Sequence, residues 1–152
     1  MDFVGAKLVL LIGDRLLTLL RDDIATIPWP GWWDMPGGGR EAGESAAACV
    51  LRETREEFGL VIPQAALAWQ AAFTSPGRGE TAVWFAARLP ASAARDIRFG
   101  DEGQGWRLMP PEAWLEHPRA IPHFKARVRA GVAALETNRF RLGNAKFKPH
   151  VE

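Results

Sequence analysis

Glu53, Glu56 and Glu57 stand at i, i+3 and i+4 in a stretch with the composition of a helix. At about 100° of rotation per residue they fall within one ~100° arc of its surface. Three acids that close repel one another, so they are tolerated with raised pKa values or with a cation among them. Their hard oxygens suit Mg²⁺ or Mn²⁺, ions that keep several waters and share one or two protein carboxylates with phosphate oxygens. Such a face is fitted to handling diphosphates. The competing reading is a solvated acidic face relieved by Arg52 and Arg55 through local ion pairs.

The helix that would carry these acids begins after Ser45, a good cap, and runs through an alanine-rich stretch to Phe58, where Gly59 supplies a left-handed stop. Ala47, Val50, Leu51, Thr54 and Phe58 form a stripe to pack on a sheet, which leaves the acids pointing outward. Ahead of it, residues 27–43 are dense in Trp, Gly and Pro and predict loop with at most a short strand. The chain opens with a hairpin, 7–12 and 15–20, turned at Gly13-Asp14. Strands are expected over 66–74, 81–89 and 105–109. A short helix then opens at Pro110-Pro111, and a last one near Pro122 carries Phe124, Val128, Val132 and Leu135.

Taken with the loop, the helix carries a longer pattern. Gly38, Glu44, Arg52, Glu53, Glu56, Glu57, Gly59 and Leu60 fit the order G-x5-E-x7-R-E-U-x-E-E-x-G-U, where U is a bulky aliphatic residue, at eight of its nine specified positions. The order resembles the signature of the Nudix hydrolase family. Thr54 departs from it, in a position where the family prefers an aliphatic side chain; on the packed side, its hydroxyl is expected to weaken packing modestly and leave the ligands alone. The looser resemblance spans residues 3 to 138.

The resemblance implies an α/β fold, a Nudix-type α/β/α sandwich with a mixed β-sheet flanked by helices. It implies Mg²⁺, or Mn²⁺, held by Glu56 and Glu57, with Glu53 a further ligand or the base that activates water. Arg52 would orient these acids, Gly37 would offer its carbonyl to the metal, and Glu44 would brace the loop. A further carboxylate is expected from the Gly100–Gly103 loop, Glu102 rather than Asp101 for its longer reach, brought in by glycine-flanked mobility. The implied reaction is hydrolysis of a diphosphate linkage in a nucleoside di- or triphosphate or another nucleoside diphosphate derivative. The alternative is a non-catalytic Nudix-like nucleotide-binding or sensor domain.

Composition is neutral on substrate but excludes several classes. The 152 residues, 47% hydrophobic with a net charge of +1, predict one globular domain and neither a disordered chain nor the basic footprint of a protein that binds duplex DNA. The apolar run 8–12 is too short to span a membrane. One cysteine, Cys49, allows no intrachain disulfide and points to the cytoplasm, and it reads as a small packed residue rather than a nucleophile. No Gly-Lys-Ser/Thr follows Gly37-Gly38-Gly39, which argues against a P-loop. His117, His123 and His150 show no metal-ligand spacing and read as surface or cap residues. The seven tryptophans are expected chiefly in packing, Trp84 above all, with Trp29, Trp32 and Trp33 also placed to stack on a ligand. Four of the 19 basic residues and one acid lie in 139–152, which predicts a domain over 1–138 and a flexible basic tail.

Overall fold

A computed structural model describes the backbone of residues 2–147 and the side chains through residue 138. The first two strands, β1 (Gly5–Ile12) and β2 (Arg15–Leu20), make the expected hairpin, with Gly13 at φ 62° in its turn. The Trp- and Gly-rich stretch holds two short strands rather than one, β3 (Trp33–Asp34) and β4 (Gly37–Gly39). Both pair antiparallel with hairpin strands, β3 with β2 and β4 with β1, so this loop text is tied into the sheet. Helix α1 (Ala46–Phe58) follows, then β5 (Leu67–Thr74), β6 (Thr81–Leu89), β7 (Gly105–Met109), the short α2 (Pro111–Leu115) and α3 (Lys125–Phe147).

The sheet is mixed. Its order is β3-β2-β1-β6-β5, with β4 added on β1 and β7 on β2. Strands β1 and β6 run parallel, residue 5 opposite 82 through 12 opposite 89, and the remaining pairs are antiparallel. A strand buried on both faces reads as a continuous apolar run, and β1 does so for that reason. Its Leu8 and Leu10 pack with Val50 and Phe58 of α1 on one side, while Val9 and Leu11 pack with Trp84, Trp114 and Val128 on the α3 side. Two cores, one per face, make the expected α/β/α sandwich.

Helix α1 is capped as read. Ser45 Oγ accepts from the Ala48 amide at 3.1 Å, and Gly59, at φ 67°, donates its amide to Arg55 O at 2.8 Å. Thr54 is fully buried and its hydroxyl donates to Val50 O at 2.7 Å, so the departure from the signature costs little because the polar group is satisfied within its own helix. Cys49 is buried, its thiol facing Gly38 O at 3.7 Å. Helix α3 continues past residue 138 to Phe147, so the basic stretch set apart by charge starts inside a helix; residues 148–152, with His150, lie outside the described residues. Among the described residues, no helix is long and apolar enough to cross a membrane.

Candidate active site

The three acids of α1 do not share one environment. Glu56 is half exposed, Glu53 is mostly covered, and Glu57 is only 7% exposed. The expectation of an outward-pointing trio therefore fails for Glu57, and the helical period supplies the reason. Glu57 lies seven residues from Val50 and three from Thr54, both fully buried, so it belongs to the edge of the packed face. Its Oε1 accepts from the Gly37 amide at 2.8 Å. Burial pushes its carboxyl up to about 8, against the pull of Lys7 and the Gly37 hydrogen bond. Burial also raises Glu53.

Two glycines make this closeness possible. At Gly37, with φ 134°, a Cβ would sit 2.1 Å from Ala6 O, so the strand could not lie on β1. At Gly38 a Cβ would stand 2.6 Å from Glu53 Cδ, in the space that the carboxyl group now occupies. Gly37 meets Glu57 through its amide, which leaves the expectation for its carbonyl as it stands.

Arg52 joins the loop to the helix. Its Nε and Nη2 donate to the two oxygens of Glu44 at 2.6 and 3.0 Å, Nη2 also donates to Gly39 O at 2.9 Å, and Nη1 donates to Glu53 at 2.9 Å and Glu56 at 3.1 Å. Those hydrogen bonds, with one from the Glu41 amide, hold the Glu44 carboxyl down at about 2. Arg52 thus bonds Glu44 of the loop and two acids of the helix at once.

Across the helix end, Asp101 and Glu102 line a cavity of about 190 Å³ together with Glu53, Glu56 and Glu57. Their loop is pinned on both sides. Gly100 N donates to Glu57 O at 2.8 Å, and Gly103 N to Asp22 Oδ2 at 3.1 Å, so Asp101 and Glu102 are presented by a tethered turn rather than by a swinging segment. Five carboxylates on one cavity form an all-oxygen donor set of the kind that hard divalent cations prefer. Among the described residues no three acids, histidines or cysteines already stand as a ready-made cation site. Glu57 carries the fit: a buried carboxyl group with a backbone amide as its one hydrogen-bond donor among the described residues lacks a full countercharge when ionised.

Beyond Gly38 lies a second cavity, of about 540 Å³, on the α3 side of the sheet. Lys7 and Arg21 both donate to Asp34 Oδ2 at 2.9 Å, and Asp34 is 1% exposed; two cations on one carboxylate leave this wall net positive. Trp29, Phe124 and His123 form an aromatic side, His123 lying 5.9 Å from Trp29 and 4.6 Å from Phe124. Burial and the charge of Arg127 lower the His123 pKa. His123 is therefore a cavity residue rather than an ordinary surface one, while His117 packs at 6.0 Å on Trp33 and accepts from the Arg119 amide. Lys7, Arg21, Asp34 and Arg127 were not singled out in the sequence. The available signals were a lysine opening the apolar β1 run, an acid between Trp33 and Met35, and an arginine among the apolar positions of α3.

A model of the NUDIX domain matches residues 3–129. The chain belongs to the Nudix family. It is 30% identical over 108 residues to an uncharacterized Nudix hydrolase of Pseudomonas aeruginosa, PA4841, covering 70% of this chain and 62% of that one. It is 44% identical over 54 residues to another, YvcI of Bacillus subtilis, covering 36% and 30% respectively; the chain thus spans under two thirds of either relative. Among solved structures, a mutT/nudix family protein from Listeria innocua superposes with a TM-score of 0.74 at 26% identity, covering 93% of this chain and 98% of that one. An Ap4A hydrolase from C. elegans shares the fold with a TM-score of 0.68 at 21% identity, covering 88% and 98%. In this Nudix domain the signature loop and helix are β4 and α1, and the second cavity lies outside the signature.

The buried Glu57 predicts an unusual stability profile. Its folded pKa of about 8 lies above its ordinary 4.5, so the folded protein retains a proton that the unfolded chain gives up. Stability must fall as pH rises through that window, and Glu57→Gln should relieve the loss. In metal-free protein at pH 8 the variant is expected to unfold at least about 2–4 °C above the parent, for about 1 kcal/mol, and the gap should close near pH 4.5. A gap that is absent, or constant with pH, would show that Glu57 is charged at little cost.

Arg52→Lys should stay folded by circular dichroism, since most of its partners are partly exposed. One ammonium cannot replace five directed N–H groups, so the exchange should lower kcat on a diphosphate substrate by about 10-fold or more with a smaller change in KM. Parent-like kcat would remove Arg52 from the positioning of the acids.

Proposed function

We propose that the protein is a metal-dependent pyrophosphohydrolase that cleaves the diphosphate linkage of a nucleoside di- or triphosphate, or of another nucleoside diphosphate derivative, by attack of water. The observation that carries this reading is the gathering of Glu53, Glu56, Glu57, Asp101 and Glu102 around one 190 Å³ cavity, separated by Gly38 from a larger, positively charged and aromatic cavity. One cavity suits the anhydride and the other the nucleoside. An Ap4A hydrolase and an ADP ribose pyrophosphatase, the latter part of a bifunctional Francisella tularensis protein complexed with AMP and Mn ion, share the fold. Their named substrates agree with the class proposed.

Glu56 and Glu57, with Glu53, are the residues to hold Mg²⁺ or Mn²⁺. The ion, when bound, offsets phosphate charge and eases deprotonation of water. The protein's own part is to place acids and exclude alternatives. Arg52 bonds one oxygen each of Glu53 and Glu56 and leaves the other without a bond to it. Glu53, raised in pKa and held against Gly38, is placed to take the proton as water oxygen bonds to phosphorus, the bridging P–O bond breaks, and the leaving phosphate takes the electron pair. Glu102 is a second candidate for that proton, since it faces Glu53 closely enough to raise its pKa. The single, buried cysteine fits a cytoplasmic, reducing setting.

A panel of nucleoside di- and triphosphates, dinucleoside polyphosphates and nucleoside diphosphate sugars, assayed for phosphate and pyrophosphate release with and without Mg²⁺, tests the reading. Release that needs the ion is expected. Binding without turnover across the panel would favour the sensor alternative. Glu56→Gln and Glu57→Gln should each cut turnover about 100-fold or more and weaken Mn²⁺ binding, whereas Glu53→Gln should lose rate more than metal affinity.

The loop acids are separated by a paired comparison, Glu102→Gln beside Asp101→Asn, with kcat followed against pH at saturating Mg²⁺. The Glu102 exchange is expected to lower kcat about 10- to 100-fold and to flatten the acid limb of the profile. A parent-like profile would take Glu102 out of the reaction, and a loss confined to the Asp101 variant would transfer the role.

A further inference from the structure

The larger cavity contains a cation that no carboxylate among the described residues answers. Arg127, near the start of α3, is 6% exposed and lines this cavity. Among the described residues its guanidinium makes no hydrogen bond and no ion pair. Its neighbours are ring faces: Phe73 at 5.0 Å, Phe124 at 5.6 Å and Trp84 at 5.7 Å from Cζ. Ring faces offset part of the charge but accept none of the five N–H bonds a guanidinium can give. Trp84, which also lines the cavity, is fully buried and its indole N–H has no acceptor. Trp114, away from the cavity, has the same unpaired N–H, and neither indole nitrogen is accessible, so it is the Arg127 guanidinium, lining the cavity without an acceptor among the described residues, that marks the place of one.

The walls tell what shape that acceptor has. Trp29 stands across the cavity, 36% exposed, with φ at 50°, a left-handed backbone that a tryptophan adopts only under constraint. It is fixed there: Trp29 O accepts from Trp32 N at 3.2 Å, the two indoles meet edge to face at 5.0 Å, and Arg21 Nε donates to Pro28 O at 2.8 Å. Strain held in place by a network is a mark of a ligand site. With Phe124 and His123 the walls offer π-faces, which suit a flat ring and offer little to a hydrated tetrahedral anion. The charged groups facing the cavity near its mouth, Arg78 and Glu80, are both exposed, and Lys7 and Arg21 are committed to Asp34.

We propose that this cavity binds the substrate's base and that Arg127 selects it, taking a 6-oxopurine rather than a 6-aminopurine. The inference rests on the nucleotide reading above and adds the base class to it. A guanidinium donates in plane to adjacent oxygen and ring nitrogen acceptors, the O6 and N7 of a 6-oxopurine. An adenine in the same pose keeps N7 as an acceptor but turns its amino group toward a donor, so one of the two bonds is lost and two donors face each other. Hypoxanthine and guanine are therefore favoured over adenine.

Base choice can be read without turnover. Isothermal titration of the full chain, free of divalent ions, with the size-matched pair IMP and AMP is expected to show IMP bound about 10-fold or more tightly. Arg127→Met should bind the members of the pair alike. Arg127→Gln, whose amide both donates and accepts, should turn the purine preference toward AMP, and it serves if the Met variant does not fold. No preference in the parent protein, or an unchanged preference in a folded Arg127 variant, overturns the proposal. Selectivity that stands while no diphosphate is hydrolysed would defeat the hydrolytic reading and leave the base site intact.

Discussion

The guanidinium of Arg52 is the fastening point between two pieces of structure that have little other reason to stay in register. The loop from β4 to α1 contributes Gly39 O and Glu44, the helix contributes Glu53 and Glu56, and one side chain bonds to all four. A planar fork of fixed geometry can do this where a flexible ammonium cannot. The consequence is electrostatic as well as geometric. Two of the clustered acids gain a cationic partner without surrendering both oxygens, and the loop glycines are held against the helix so that Glu53 and Glu57 can be covered. Without that fastening, burial of these carboxylates would lack both the positive charge and the close backbone that offset it.

The sheet provides what the fastening acts upon. Because β1 is buried on both faces, β4 can add to its edge only if its residues have no side chain to clash, and Gly37 and Gly38 meet that condition. The same two residues set the boundary between the acidic cavity and the aromatic one. Gly37 hands its amide to Glu57 on the α1 side, while Lys7, its partner across the ladder, reaches Asp34 and the larger cavity. A single short ladder therefore couples the acidic cavity on one face of the sheet to the larger cavity on the other.

The sequence disclosed these parts unevenly, for physical reasons. Residue type and fixed offsets define α1, its caps and the carboxylate set, because those interactions are local along one helix. The hairpin and the strand-length apolar runs were legible on the same ground. The short β3 and β4 were read only as a loop with room for one strand, since strands of two and three residues owe their existence to the partners β2 and β1 rather than to their own propensity. Glu57 was placed with its neighbours on an outward face because spacing gives angle but not depth. Its burial depends on β4 and on the 100–103 loop. Trp29 was read as placed to stack on a ligand, but its strain and the role of Arg127 escaped for a related reason: a buried cation without a partner and a strained backbone angle exist only once distant segments have met.

Where the unexplained polar groups lie separates two kinds of constraint in this Nudix domain. In the acidic cavity the acids sit on a helix and a tethered turn, with Arg52 and backbone amides answering much of their charge. Those elements are bound to one another tightly, and a change in any one reaches the rest. The larger cavity has two kinds of wall: Lys7, Gly38 and Gly39 belong to β1 and β4, and β4 is bonded to the signature helix through Gly39 O and Arg52, whereas the 28–34 loop, the 75–80 turn and the beginning of α3 supply the rest. Lys7 also acts on the charge of Glu57, so a change on the first wall reaches the carboxylates. The loop and α3 wall can therefore be altered, residue by residue, at less cost to the acids across the sheet than the β1 and β4 wall.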